Sequence, residues 1–127
     1  MPGETILVVD DNEMNVKLLR RLLGRRGYDV HDARGGNEAR ASVRALRPRL
    51  VLMDLQLPEV DGLQLTREIK ADPVLRGILV VAVTSYAMKG DRQKALDAGC
   101  DGYVTKPIDT RAFPLAVEGY LRGSPDA

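Results

Sequence analysis

The stretch Leu50 to Gly62, L-V-L-M-D-L-Q-L-P-E-V-D-G, constrains this chain more than any other, because an unbroken apolar run delivers one carboxylate, Asp54, to its far end. Four consecutive apolar residues before a charge fit a strand buried on both faces, since a half-buried strand would alternate. Strands of that kind belong to parallel sheets covered by helices, where ligands bind beyond the carboxyl ends of the strands. Pro58, Asp61 and Gly62 punctuate the loop before the next helix. Asp54 stands seven residues before Asp61, too early to cap that helix, so its placement favours a functional reading.

The rest of the chain repeats the strand and helix alternation. T-I-L-V-V-D, Thr5 to Asp10, is a second continuous apolar run, and Asp10 and Asp11 stand together at its end. Met14, Leu18 and Leu22, with Leu19 and Leu23 beside them, predict an amphipathic first helix whose other face carries Arg20, Arg21, Arg25 and Arg26, ended by Gly27 at C′. Tyr28 to Ala33 predicts a second strand, Gly35 and Gly36 a turn, and Ala39, Val43 and Leu46 a second helix stopped by Pro48. Leu63 to Ala71 predicts a third helix, stopped by Asp72 and Pro73. Ile78 to Thr84 is the strongest strand signal and delivers a hydroxyl, Thr84. Lys89 to Ala98 predicts a polar fourth helix with Gly99 at C′, and Tyr103 to Thr105 a short fifth strand with Lys106-Pro107 just past it. Phe113, Val117, Tyr120 and Leu121 trace a fifth helix that starts late or bends because of Pro114, and residues 123–127 read as a frayed tail. Five strand-helix units with short connections imply a three-layer α/β sandwich around a five-stranded parallel sheet, one domain over residues 1–127.

Composition narrows the function. Lys and Arg number 19 against 18 Asp and Glu, which argues against nucleic-acid or anionic-membrane binding. The single cysteine, Cys100, excludes an internal disulfide and a thiolate cluster, and reads as a small buried residue near a strand start. No apolar run approaches the ~18 residues of a membrane span, so a soluble cytoplasmic protein is expected. His31 has no acid or cysteine in ligand spacing and reads as a surface or half-buried histidine.

If strands one, three, four and five are neighbours, their ends bring together Asp10, Asp11, Asp54, Thr84 and Lys106. Carboxylates that close repel by roughly 1 to 4 kcal/mol per pair, depending on the effective dielectric, and so call for a cation. All-oxygen ligation suits Mg²⁺, with Mn²⁺ as a substitute. A metal beside a carboxylate nucleophile, with a lysine and a hydroxyl to hold phosphoryl oxygens, is the equipment for phosphoryl transfer onto aspartate.

The D-D-N after strand one, M-D-L-Q-L-P-E-V-D-G around Asp54, V-T-S at strand four and Y-V-T-K-P at strand five together resemble the receiver domain of two-component response regulators, across essentially the whole chain. The segment A-M-K-G-D, Ala87 to Asp91, narrows the resemblance to stand-alone receivers of cell division and polarity. The resemblance implies a flavodoxin-like strand order, 2-1-3-4-5, with five helices. It implies that Asp54 is the phosphoacceptor, Asp11 the direct metal ligand, Asp10 a ligand through water and the backbone carbonyl of Gln56 the third protein ligand. It further implies that Lys106 contacts the phosphoryl group through a cis Lys106-Pro107 bond, and that Thr84 and Tyr103 form the switch pair. Ser85 stands where many receivers carry alanine and is small enough to leave the phosphate path open.

The partners implied are a histidine kinase or histidine phosphotransferase and a downstream protein. Part of the basic face of the first helix is where kinases and phosphotransferases dock in the family. The downstream face would be built by the fourth helix, fifth strand and fifth helix, with Met88, Lys89, Arg92, Tyr103 and Phe113 contributing. With no output domain after residue 127, the expected protein is a single-domain regulator that catalyses its own phosphorylation and is otherwise not an enzyme. A phosphohydrolase of the haloacid dehalogenase type would carry a second Asp two positions after the nucleophile, where Gln56 stands. A flavodoxin would need a Ser/Thr/Gly-rich loop where D-D-N-E would repel phosphate. A degenerate receiver disagrees with the intact set Asp11, Asp54, Thr84 and Lys106.

Overall fold

The apolar runs form the sheet they predict. The computed structural model describes residues 3–57, 60–85 and 90–122. Its strands β1 (Thr5–Val9), β2 (Asp29–Ala33), β3 (Leu50–Asp54), β4 (Leu79–Thr84) and β5 (Gly102–Thr105) are all parallel, in the order β2-β1-β3-β4-β5. β3 is central and buried along its whole length, with Val51 opposite Leu7 on one side and Val80 on the other. The strand order reverses direction beside β1, and in such sheets the crevice at that point is the ligand site.

Helices α1 (Glu13–Gly24), α2 (Gly36–Leu46), α3 (Gly62–Ala71), α4 (Asp91–Asp97) and α5 (Ala112–Leu121) alternate with the strands. The period of two along each strand divides the core between two layers. Ile6, Val8, Leu50, Leu52, Val81 and Val83 pack with α1 and α5, while Leu7, Val9, Val51, Met53, Val80 and Ala82 pack with α2, α3 and α4. Cys100 is buried in the second layer next to the Thr66 hydroxyl, as a structural residue.

Several element ends differ from the sequence reading. The buried stripe of α1 is Val16, Leu19 and Leu23, and Met14 is 76% exposed, because the helix sets its i, i+3, i+7 seam two residues later than the Met14 series. α1 also ends at Gly24, and Gly27, with φ of 90°, closes the turn that follows. α4 is shorter than expected, starting at Asp91 after Gly90, while Lys89 lies outside the described residues. Gly99, with φ of 108°, takes the C′ position as the pattern predicts. Pro114 is the third residue of α5, within the first turn, where its missing N–H costs no intrahelical bond and the helix simply begins late. His31 does have an acidic neighbour: alternation puts Asp29 on its face of β2, 3.0 Å from Nε2. Among the described residues no helix is long and apolar enough to cross a membrane.

Candidate functional site

The β3 exit is shaped by two residues. Asp61 caps α3, its side chain accepting from the Leu63 N–H at 2.9 Å, so the capping role belongs to it and not to Asp54. Gly62 lets the chain return over the strand end: a Cβ there would stand 2.6 Å from the Asp54 carbonyl and 2.9 Å from Leu55 Cα, both backbone atoms that cannot swing aside. Asp54 is thereby held at the carboxyl end of the central strand, only 3% exposed.

Asp10 follows β1 and is equally buried. Its Oδ1 accepts from the Asn12 N–H at 2.8 Å and its Oδ2 lies 3.2 Å from Lys106 Nζ. Lys106 is carried there by the end of β5, where its N–H donates to the Thr84 carbonyl at 2.8 Å, and the Lys106-Pro107 peptide is cis. The same ammonium is 3.6 Å from Asp54 Oδ2, while Asp54 Oδ1 accepts from the Gln56 N–H at 2.9 Å. Burial pushes the Asp54 carboxyl above its ordinary value; the Gln56 N–H opposes this, the Asp10 charge adds to it, and Lys106 offsets it in turn.

Asp10, Asp11 and Asp54 each bring a carboxylate oxygen within 4.8 Å of the others. Asp11 is exposed and, among the described residues, its carboxylate makes no hydrogen bond. With the three acids ionised and Lys106 charged, the cluster carries −3 + 1 = −2. That hard, all-oxygen donor set and that charge fit a divalent cation such as Mg²⁺ or Mn²⁺. The cleft above them, about 410 Å³, is also lined by Asn15, Gln56 and Ser85.

Thr84 ends β4, 2% exposed, and the register puts Tyr103 opposite Ala82. Alternation therefore gives Thr84 and Tyr103 the same sheet face, two positions apart. Tyr103 is half-buried, and burial and then Asp91 hold its phenol above the ordinary value. The structure thus assembles Asp10, Asp11, Asp54, Gln56 and Lys106 in one cleft, with Thr84 at the adjoining strand end. The predicted partner face divides differently. Arg92 is exposed on α4, but Phe113 is only 3% exposed, because its position in the first turn of α5 directs the ring into the α1–α5 core layer. The large apolar residue that α5 exposes is Leu115, and Met88 and Lys89 lie outside the described residues. A contact that motif reading missed joins Ser85 to Gln56: the Ser85 hydroxyl donates to Gln56 Oε1 at 2.7 Å.

An open parallel sheet of order 2-1-3-4-5 with an acidic triad and a lysine at its switch point defines a class. Residues 6–118 match the response regulator receiver domain, and the chain belongs to that family, the signalling module of two-component systems. More particularly, it is 45% identical over 118 residues to the polar-differentiation response regulator DivK of Brucella anthropi, covering 93% of this chain and 96% of that one. Among solved structures it is similar to a CheY-like receiver domain protein from Methanospirillum hungatei, with a TM-score of 0.88, 27% identity and 98% of each chain covered. It also resembles the Mn²⁺-bound form of the response regulator Rcp1, with a TM-score of 0.83, 25% identity and 94% and 95% of the two chains covered.

Proposed function

We propose that this protein is a cytoplasmic, DivK-like receiver that accepts a phosphoryl group on Asp54 from a histidine kinase or histidine phosphotransferase. The observation that carries this reading is the position of Asp54, buried at the end of β3 with Oδ1 fixed by Gln56 and Oδ2 facing Lys106. An Asp54 carboxylate oxygen would attack phosphorus as the bond from phosphorus to the donor imidazole breaks, leaving the imidazole to take up a proton. Asp11, the Gln56 carbonyl and Asp54 would hold Mg²⁺, with Asp10 acting through water. The cation, when bound, supplies charge neutralisation to the transferring phosphoryl oxygens. Lys106, whose ammonium lies 3.2 Å from Asp10 and 3.6 Å from Asp54, would move from these carboxylates to the new phosphoryl oxygens, a charge-assisted contact.

The phosphoryl group would then draw the Thr84 hydroxyl toward it, and Tyr103, on the same sheet face, would follow inward. The readout would be a changed α4-β5-α5 surface, where Arg92 is exposed, recognised by a downstream protein. The catalysis of self-phosphorylation is the one chemical activity this reading assigns. Incubation with acetyl phosphate should add a single phosphoryl mass to the intact protein in the presence of Mg²⁺ and none after chelation. An adduct that forms equally well in EDTA would overturn the metal-dependent reading.

A further inference from the structure

Past its last residue, β3 is tied to β4 only weakly by backbone: the Leu55 N–H reaches the Val83 carbonyl at 3.4 Å, at the far end of hydrogen-bond range. The next link between the two strand exits is made by side chains. Gln56 Oε1 accepts the Ser85 hydroxyl at 2.7 Å and, more loosely, the Ser85 N–H at 3.4 Å. Gln56 is also the residue whose N–H holds Asp54 Oδ1 at 2.9 Å. Ser85 is exposed at the cleft mouth and follows directly on buried Thr84 at the end of rigid β4. Both partners lie just past strand ends, Gln56 two residues after Asp54 and Ser85 one residue after Thr84, so their bond joins the β3 and β4 exits.

We propose that Ser85 is a positioning residue that, through the Gln56 side chain, locks the Gln56 peptide for metal binding. This rests on the reading above, in which the Gln56 carbonyl is a cation ligand. One anchored amide side chain holds both ends of the same peptide segment: the N–H stays on Asp54, and the carbonyl stays available at the cleft. Without the clasp, the loop must be ordered by the cation itself, so affinity falls while the chemistry of the loaded site does not. Alanine at position 85 would leave the cleft just as open but lose the anchor.

The test is a double-mutant cycle on Mg²⁺ affinity, measured by calorimetric titration of the metal-free protein. Ser85→Ala and Gln56→Met, which keeps the backbone N–H and carbonyl, should each weaken Mg²⁺ binding about 3- to 10-fold, the worth of one ordinary hydrogen bond. The double variant should be no worse than either single one, because both remove the same contact. Ser85→Thr, which retains the hydroxyl, should restore most of the affinity. In acetyl phosphate reactions the half-saturating Mg²⁺ concentration should rise in Ser85→Ala, while the rate at saturating Mg²⁺ stays that of the wild type. Wild-type Mg²⁺ affinity in Ser85→Ala, or fully additive losses, would overturn the clasp. If instead the wild type formed no adduct at saturating Mg²⁺, the functional reading itself would fail, an outcome distinct from either.

Discussion

Asp11→Ala should weaken Mg²⁺ binding by more than about 100-fold, a loss above about 2.7 kcal/mol, whereas Asp10→Ala should cost only about 10-fold. The two acids are adjacent in sequence and share a sign, but their surroundings separate them. Asp10 is buried, with one oxygen occupied by the Asn12 N–H and the other by Lys106. A carboxylate already engaged on both oxygens acts on a cation mainly through its charge and through water. Asp11 is exposed at the same cleft with its oxygens unspent among the described residues, and so is the one that can enter the coordination shell. Calorimetric titration of both variants decides the matter, and equal losses would contradict the assigned roles.

The second large effect is on stability. Burial raises the Asp54 carboxyl above its ordinary 3.8, so between 3.8 and the raised value the folded protein holds a proton that the unfolded chain releases. Protons bound preferentially by the folded state mean that stability falls as pH rises through that window, and at neutral pH the metal-free fold carries the cost of a buried charge. Asp54→Asn removes the charge and keeps an oxygen for the Gln56 N–H. In EDTA at about pH 7 the variant should melt about 3–8 °C above the wild type, and the difference should shrink as pH falls toward 4. Mg²⁺ reverses the ranking: at 100 times its dissociation constant it should stabilise the wild type by about 2.7 kcal/mol and the variant far less. Thermal unfolding of both proteins in EDTA and in Mg²⁺ checks this. A variant no more stable than the wild type in EDTA would mean that the buried charge costs the fold nothing.

Sequence alone placed most of this site, for a reason visible in β3 and β4. Their continuous apolar runs are too short for a buried helix and fit a strand covered on both faces, and the first polar residue of each then marks the strand exit. Parallel topology gathers those exits at one edge, so Asp10, Asp54, Thr84 and Lys106 come together without any contact having to be foreseen. What escaped the sequence depends on helix rotation and on side chains meeting across loops. Met14 fits a helical stripe with Leu18 as well as Val16 does with Leu19, and only packing on the sheet selects the second. Phe113 reads both as part of the stripe of α5 and as a contributor to the partner face, and only packing shows that it is buried with Val117 and Leu121 in the core. The Ser85–Gln56 bond joins residues 29 apart whose side chains carry no motif signal for each other. The separation of Asp10 from Asp11 likewise rests on burial, which adjacency in sequence cannot convey.

The proposed function requires that one particular carboxylate, that of Asp54, become an acyl phosphate. Reduction of the acetyl phosphate-treated protein with borohydride converts an aspartyl phosphate to homoserine, and peptide mass spectrometry then locates it. Homoserine is expected at position 54 alone, formed only with Mg²⁺ present, and none in Asp54→Asn. Homoserine at position 10 or 11, or an adduct of undiminished yield in Asp54→Asn, would contradict it.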